Sequence, residues 1–139
     1  MKKEPITIQT LIHSPIETVW EYWVNPNHIT QWAFASDDWE APYAENDLKV
    51  GHTFKTTMAA KDGSSKFDFT GSYTSIQQNE LIEYDLEDGR HIKVTFEATP
   101  EGTKVTQTFD PEMENSRELQ RAGWQAILDN FKKHVESSS

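Results

Sequence analysis

The chain has 139 residues, no cysteine, a formal net charge of −10 and a hydrophobic fraction of 35%. These values suit one domain with a single core, and they exclude disulfides, thiolate metal sites and a cysteine nucleophile. The negative charge opposes binding to nucleic acid or to anionic membrane surfaces, and no apolar run approaches the roughly 20 residues that cross a bilayer. MKKEPITIQT has a basic start with no apolar stretch behind it, so a signal peptide is not expected. The expected protein is cytoplasmic and monomeric, one domain over residues 1–136, with Ser137–Ser139 a frayed end.

The first element is a strand: in EPITIQTLI, Ile6, Ile8 and Ile12 share a parity. Ser14-Pro15-Ile16-Glu17 then has the order of a capping box, with serine at the N-cap, proline at the first helical position and glutamate at the third. Ile16, Val19, Trp20 and Trp23 form one apolar stripe behind it. Asn25-Pro26 ends this helix and can cap a second, in which Ile29 and Trp32 stand one turn apart. Trp20 and Trp23 are expected to seat the two helices on the open end of a sheet. Ala35–Val50 carries five carboxylates and little periodicity, and reads as a strand fragment and a long solvated loop. Its Trp39 and Tyr43 keep a basic protein partner open.

Regular alternation follows. Phe54, Thr56 and Met58 share a parity before a turn at Lys61-Asp62-Gly63. Next come Phe67, Phe69 and Tyr73, with Gly71 a candidate bulge; then Ile82, Tyr84 and Leu86; then Ile92, Val94, Phe96 and Ala98; then Val105, Gln107 and Phe109. The residues between them are almost all polar, so the pattern is a meandering antiparallel sheet with one wet face. The final element, from about Glu114 to Val135, is a helix with the stripe Trp124, Ile127, Leu128, Phe131 and Val135. The expected fold class is α+β, with a long C-terminal helix covering the sheet.

That helix is uneven. Its N-terminal half continues the apolar face with Gly123, Gln120 and Arg117, too little to cover the aromatics of the sheet. Either loops fold in or a cavity remains between helix and sheet, the usual form of a small-molecule site. The candidate walls are Phe54, Met58, Phe69, Tyr73, Tyr84, Phe96, Phe109 and Trp124. Gln107 and Gln120 are the candidate polar anchors, each a possible partner of the other, and Trp32 and Phe34 are candidates for the cavity edge.

Other chemistry is poorly represented. His13, His28, His52, His91 and His134 lack the spacing of a ligand set, and His91 and His134 fall on expected solvent faces. There is no Gly-x-Ser-x-Gly elbow and no phosphate-cradling glycine loop. Acid–base work would rest on His52, Tyr84, Gln107 or Gln120, and glutamine is neither acid nor base. No metal or cofactor is expected.

IHSPIETVWEYWVNPNHITQW resembles the opening of the helix-grip superfamily known as SRPBCC or START-like, which includes birch-pollen allergens and polyketide cyclases. Asp47-Leu48-Lys49-Val50-Gly51 with Phe54, Gly71-Ser72-Tyr73 with Ile76, Glu80-Leu81-Ile82, and Gly123-Trp124 with Ile127-Leu128 and Phe131 narrow it. They are similar to the family built around the C-terminal domain of the activator of the 90-kDa heat-shock protein ATPase, in its bacterial single-domain form. The resemblance implies a curved antiparallel sheet, two short helices after strand 1, a long C-terminal helix and a cavity between helix and sheet. It implies three functions: non-catalytic binding of a small hydrophobic ligand, lipid- or polyketide-like and ring-bearing; a co-chaperone-like interaction with a heat-shock ATPase; or a polyketide-cyclase-like enzyme. Trp32-Ala33-Phe34 departs from the two adjacent aromatics common in bacterial relatives, which changes the expected cavity mouth.

Overall fold

The computed structural model describes residues 4–138. Strand β1 (Ile6–Ile12) leads into helices α1 (Ile16–Val24) and α2 (Pro26–Trp32). Strands β2 (Trp39–Asn46), β3 (Thr53–Ala60), β4 (Lys66–Gln77), β5 (Leu81–Leu86), β6 (His91–Thr99) and β7 (Gly102–Phe109) follow, and α3 (Arg117–Ser138) completes the chain. All strand pairs are antiparallel, in the order β1-β7-β6-β5-β4-β3-β2. The sheet is a meander except that β1 crosses to pair with β7, leaving β1 and β2 at its edges. This is the helix-grip arrangement. Among the described residues no helix is long and apolar enough to cross a membrane.

Alternation decides which face is buried. Ile6, Ile8 and Ile12 of β1, Ile92, Val94 and Phe96 of β6, and Val105 and Phe109 of β7 are all buried. Leu128, Phe131 and Val135 of α3 close over them, each nearly inaccessible to solvent. Burial of such side chains contributes roughly 1.5–3 kcal/mol each. Phe131 is gripped between Trp23 and Trp32, with ring centroids 4.9 and 4.7 Å away.

The N-terminal half of α3 is held differently. Arg117 Nη1 donates to the Glu4 carbonyl at 2.7 Å, Arg121 Nη1 to Thr7 O at 2.8 Å, and Gln125 Nε2 to Gln9 O at 3.4 Å. These three residues lie one helical turn apart and meet the carbonyl of Glu4, just before β1, and those of Thr7 and Gln9 on its outer edge. An edge strand exposes unpaired backbone groups, and here the helix satisfies them. The helix thereby lies along β1 rather than over the middle of the sheet.

The capping box does not form: Pro15 is the N-cap of α1 and no side chain caps it. Ser14 is buried one residue before the cap, and its carbonyl accepts from Thr103 Oγ1 at 2.8 Å at the start of β7. Asn25 does cap α2, its side chain accepting from Asn27 N at 2.9 Å. The expected long loop contains an eight-residue strand, β2, because pairing with β3 supplies its hydrogen bonds whatever its side chains. The register shifts between Glu40 and Tyr43, around Pro42, which lacks an N–H to donate. The β4 bulge lies between Tyr73 and Ser75, not at Gly71. Gly71 instead makes room for a ring, since a Cβ there would stand 2.7 Å from the Phe54 side chain. The helix α3 begins at Arg117 and continues through Ser138, so Ser137 and Ser138 are helical rather than frayed. Met1–Lys3 and Ser139 lie outside the described residues.

His91 and His134 are not simply solvated. His134 Nε2 and His28 Nδ1 are 3.1 Å apart, with Tyr22 stacked on His28 at 3.8 Å. Burial, then the neighbouring His28, push the His134 pKa down. His91 has Asp85 Oδ1 at 2.6 Å from Nδ1 and Glu83 Oε1 at 2.9 Å from Nε2. These bonds, Asp85 first and then Glu83, hold its pKa above the ordinary histidine value.

Gly102 has φ +147, and a Cβ there would come within 2.1 Å of Ile12 O, whereas at Gly63 it would meet open space. Gly102→Ala is expected to destabilise by about 1–3 kcal/mol and Gly63→Ala by less, read from urea midpoints. The His91 contribution is fully present below the unfolded pKa of about 6.5 and disappears as pH rises through the raised folded pKa. Because the cluster is partly exposed, its contribution is held to about 1 kcal/mol or less. The stability gap between the wild type and His91→Gln is therefore expected to be larger at pH 6 than at pH 9.

Candidate functional site

Fastening α3 to the β1 edge leaves a gap over β3, β4 and β5. A cavity of about 290 Å³ occupies it. Phe54, Thr56 and Met58 of β3, alternate residues on one face, form one wall with Phe67, Phe69 and Tyr73 of β4. Ile82 and Tyr84 of β5 and Gln107 of β7 form the floor, and Trp124, Ile127 and Leu128 of α3 the roof. Trp23, Ile29, Trp32 and Ala33 close the end under α1 and α2, while Asn46 and Arg90 complete the lining.

Ring packing keeps these walls in place. Phe54 meets Tyr84 edge-on at 4.8 Å and Tyr73 at 5.4 Å. Trp124 lies flat on Phe109, centroids 4.0 Å apart, and presents an edge contact to Phe69 at 6.1 Å. Such pairs contribute roughly 0.5–1.5 kcal/mol beyond the area they bury. The closed end is tied by polar bonds: Trp32 Nε1 donates to Tyr22 O at 3.0 Å, and Asn130 Nδ2 donates to Trp32 O at 3.0 Å.

The polar groups are few and mostly neutral. Tyr73 donates its hydroxyl to Asn46 Oδ1, and Asn46 Nδ2 donates to Val24 O at 2.7 Å. Burial raises the Tyr73 pKa against the opposing effect of that bond. Burial raises the Tyr84 pKa as well, reinforced by Tyr73 and opposed by the Gln107 amide. Both phenols are held protonated at neutral pH, where a hydroxyl both donates and accepts.

Eight of the twelve residues singled out from the sequence line the cavity: Trp32, Phe54, Met58, Phe69, Tyr73, Tyr84, Gln107 and Trp124. The other four do not. Phe96 packs beneath α1, edge-on to Trp20 at 5.1 Å and Trp23 at 5.9 Å. Phe109 lies behind Trp124 and sets its plane. Phe34 borders a separate, more open depression beside Asn130 and Lys133. Gln120 closes the β7–α3 loop, accepting from Glu112 N at 2.8 Å and donating to Asn115 O at 2.8 Å. These bonds take the place of a pairing with Gln107, one of the open alternatives, since the loop carbonyls and amides lie nearer along the chain. His52 is held by Asp47 at 2.6 Å on the surface, away from the cavity.

Several lining residues carried a usable signal. Thr56 shares the parity of Phe54 and Met58, Phe67 that of Phe69, and Trp23 and Ile29 lie on the helical stripes. Asn46 in the acidic segment and Arg90 in a turn carried none. Among the described residues, no group of three or more histidine or carboxylate side chains could hold a metal ion.

No curated protein matches the chain. An AHSA1-like protein of Aeromonas hydrophila, solved by NMR, is 44% identical with a TM-score of 0.91, over 96% of this chain and 93% of that one. A protein of Cytophaga hutchinsonii is 50% identical with a TM-score of 0.83, over 96% and 92%. A protein of Nitrosomonas europaea shares the fold at 16% identity, with a TM-score of 0.83 over 97% and 96%. The sequence pattern described as "Activator of Hsp90 ATPase homolog 1-like protein" matches residues 13–136, and the chain belongs to that family.

Proposed function

We propose that the protein binds a compact hydrophobic, ring-bearing ligand between its sheet and α3, without performing chemistry on it. One observation carries this reading: an internal space of about 290 Å³, walled by aromatic and aliphatic side chains with a few converging polar groups. A dry apolar cavity of about 150 Å³ accommodates a benzene ring, so this one suits a body of roughly two rings. The neutral hydroxyl of Tyr84, the Gln107 amide and Thr56 offer hydrogen bonds to a ligand hydroxyl or carbonyl.

Binding is favoured over catalysis by the ionisable groups on the wall, which are Tyr73, Tyr84 and Arg90. A general acid or base works best with a pKa near the working pH, and burial drives both phenols away from it.

The family description motivates a second reading, docking on a heat-shock ATPase. Its best-placed surface is β2, an edge strand with Tyr43 48% exposed beside the carboxylates of Glu40 and Glu45. In that case the amide resonances of β2 shift when the chaperone is added. Unchanged β2 resonances at tens of micromolar chaperone remove this reading.

For the cavity, 2-naphthol serves as a neutral two-ring probe. It is expected to shift the amides of Thr56, Tyr84, Gln107 and Ile127, and shifts confined to the outer sheet face would sink the proposal. Ile127→Trp, which fills the space from the partly buried face of α3, is expected to weaken the probe at least tenfold. Its thermal midpoint should stay within a few degrees of the wild type.

A further inference from the structure

Among the described residues lining the cavity, Arg90 alone carries a full charge, in a chain whose formal net charge is −10. It stands in the turn between β5 and β6, where its carbonyl accepts from Leu86 N at 2.8 Å and its own N–H donates to Asp88 Oδ1 at 3.1 Å. Its Nε donates to Asp88 Oδ2 at 2.8 Å. Backbone and side chain are thus held by one short turn, so the guanidinium is placed before any ligand arrives.

The ion pair is lopsided. The Arg90 side chain is 25% exposed and that of Asp88 is 55% exposed. Water therefore solvates the carboxylate more fully than the cation. A guanidinium offers five N–H donors, and the Asp88 bond uses one of them. Among the described residues, no hydrogen bond is made by the two Nη groups. An arginine side chain three-quarters covered, with donors left over beside an apolar wall, is placed to take an acceptor that enters the cavity. Arginine is also the side chain whose planar fork matches a carboxylate with two parallel bonds.

We infer that the cavity selects acids: a ligand with an apolar body of about two rings and one carboxylate, the carboxylate held by the Nη donors of Arg90. This rests on the hydrophobic-ligand reading and specifies its ligand class. The overall negative charge does not oppose it at contact range. At physiological ionic strength charges beyond about 8 Å are largely screened, whereas the guanidinium meets the acid directly. Tyr84, Gln107 and Thr56 are neutral and offer no competing charge deeper in the site.

Two probes of nearly equal shape test it, 2-naphthoate and 2-naphthamide, titrated by tryptophan fluorescence and amide shifts. In the wild type the acid is expected to bind about tenfold more tightly than the amide. In Arg90→Gln that ratio falls to about one, and in Arg90→Lys it is intermediate, because a point charge replaces the fork. Raising the salt concentration should weaken the acid and spare the amide, a readout that needs no variant. Equal binding of the two probes to the wild type, or an acid preference that survives in Arg90→Gln, overturns the inference and leaves the cavity reading standing. If neither probe shifts a cavity amide, the cavity reading falls and takes the inference with it.

Discussion

The structure depends on how one helix meets one strand edge. Arg117, Arg121 and Gln125 of α3 bond in sequence to the carbonyls of Glu4, Thr7 and Gln9. Had the helix crossed the centre of the sheet, these polar residues would have been pressed against Phe69 and Tyr84. Instead the strand edge takes them, and the free carbonyls of β1 are satisfied in the same contact. The consequence is a helix displaced to one side, packed on its C-terminal half and standing clear of β3, β4 and β5.

The apolar half of α3 supplies the opposite constraint. Leu128, Phe131 and Val135 are sealed against the sheet, and Trp23 and Trp32 grip Phe131 from α1 and α2. The two short helices therefore close one end of the gap, and the tryptophans form its end wall. Trp124 stands between the two regimes. Its face is fixed by stacking on Phe109, and its edge reaches Phe69 across the space. The cavity is thus bounded by rings that are themselves packed, so its shape is set before binding, which lowers the ordering cost that a ligand must offset.

Much of this was legible in the chain. Parity placed Phe54, Met58, Phe69, Tyr73, Tyr84 and Gln107 on the inner face, because a strand turns alternate side chains to opposite sides. Helical spacing placed Trp124 and Ile127 over them. The misses have identifiable causes. Phe96 and Phe109 have the correct parity but lie under α1 and behind Trp124, and parity does not say which part of a face is covered. Gln120 has the correct spacing, yet a loop five to eight residues away captured its amide. The Ser14 cap failed because the helix starts one residue later, with Pro15 at its N-cap, while Ser14 is buried and its carbonyl accepts from Thr103.

The sequence alone determined the order of elements apart from β2, the buried face of the strands that alternate and the unevenness of α3, since these follow from local periodicity. Only the tertiary structure decided where α3 lies and therefore where the cavity opens, because that position depends on Arg117, Arg121 and Gln125 finding backbone carbonyls more than a hundred residues away. It also decided that Arg90, an ordinary turn residue by sequence, stands on an apolar wall. No local pattern encodes that placement. It arises from strand register, which carries the β5–β6 turn to the same end of the sheet as the sparsely apolar half of the helix.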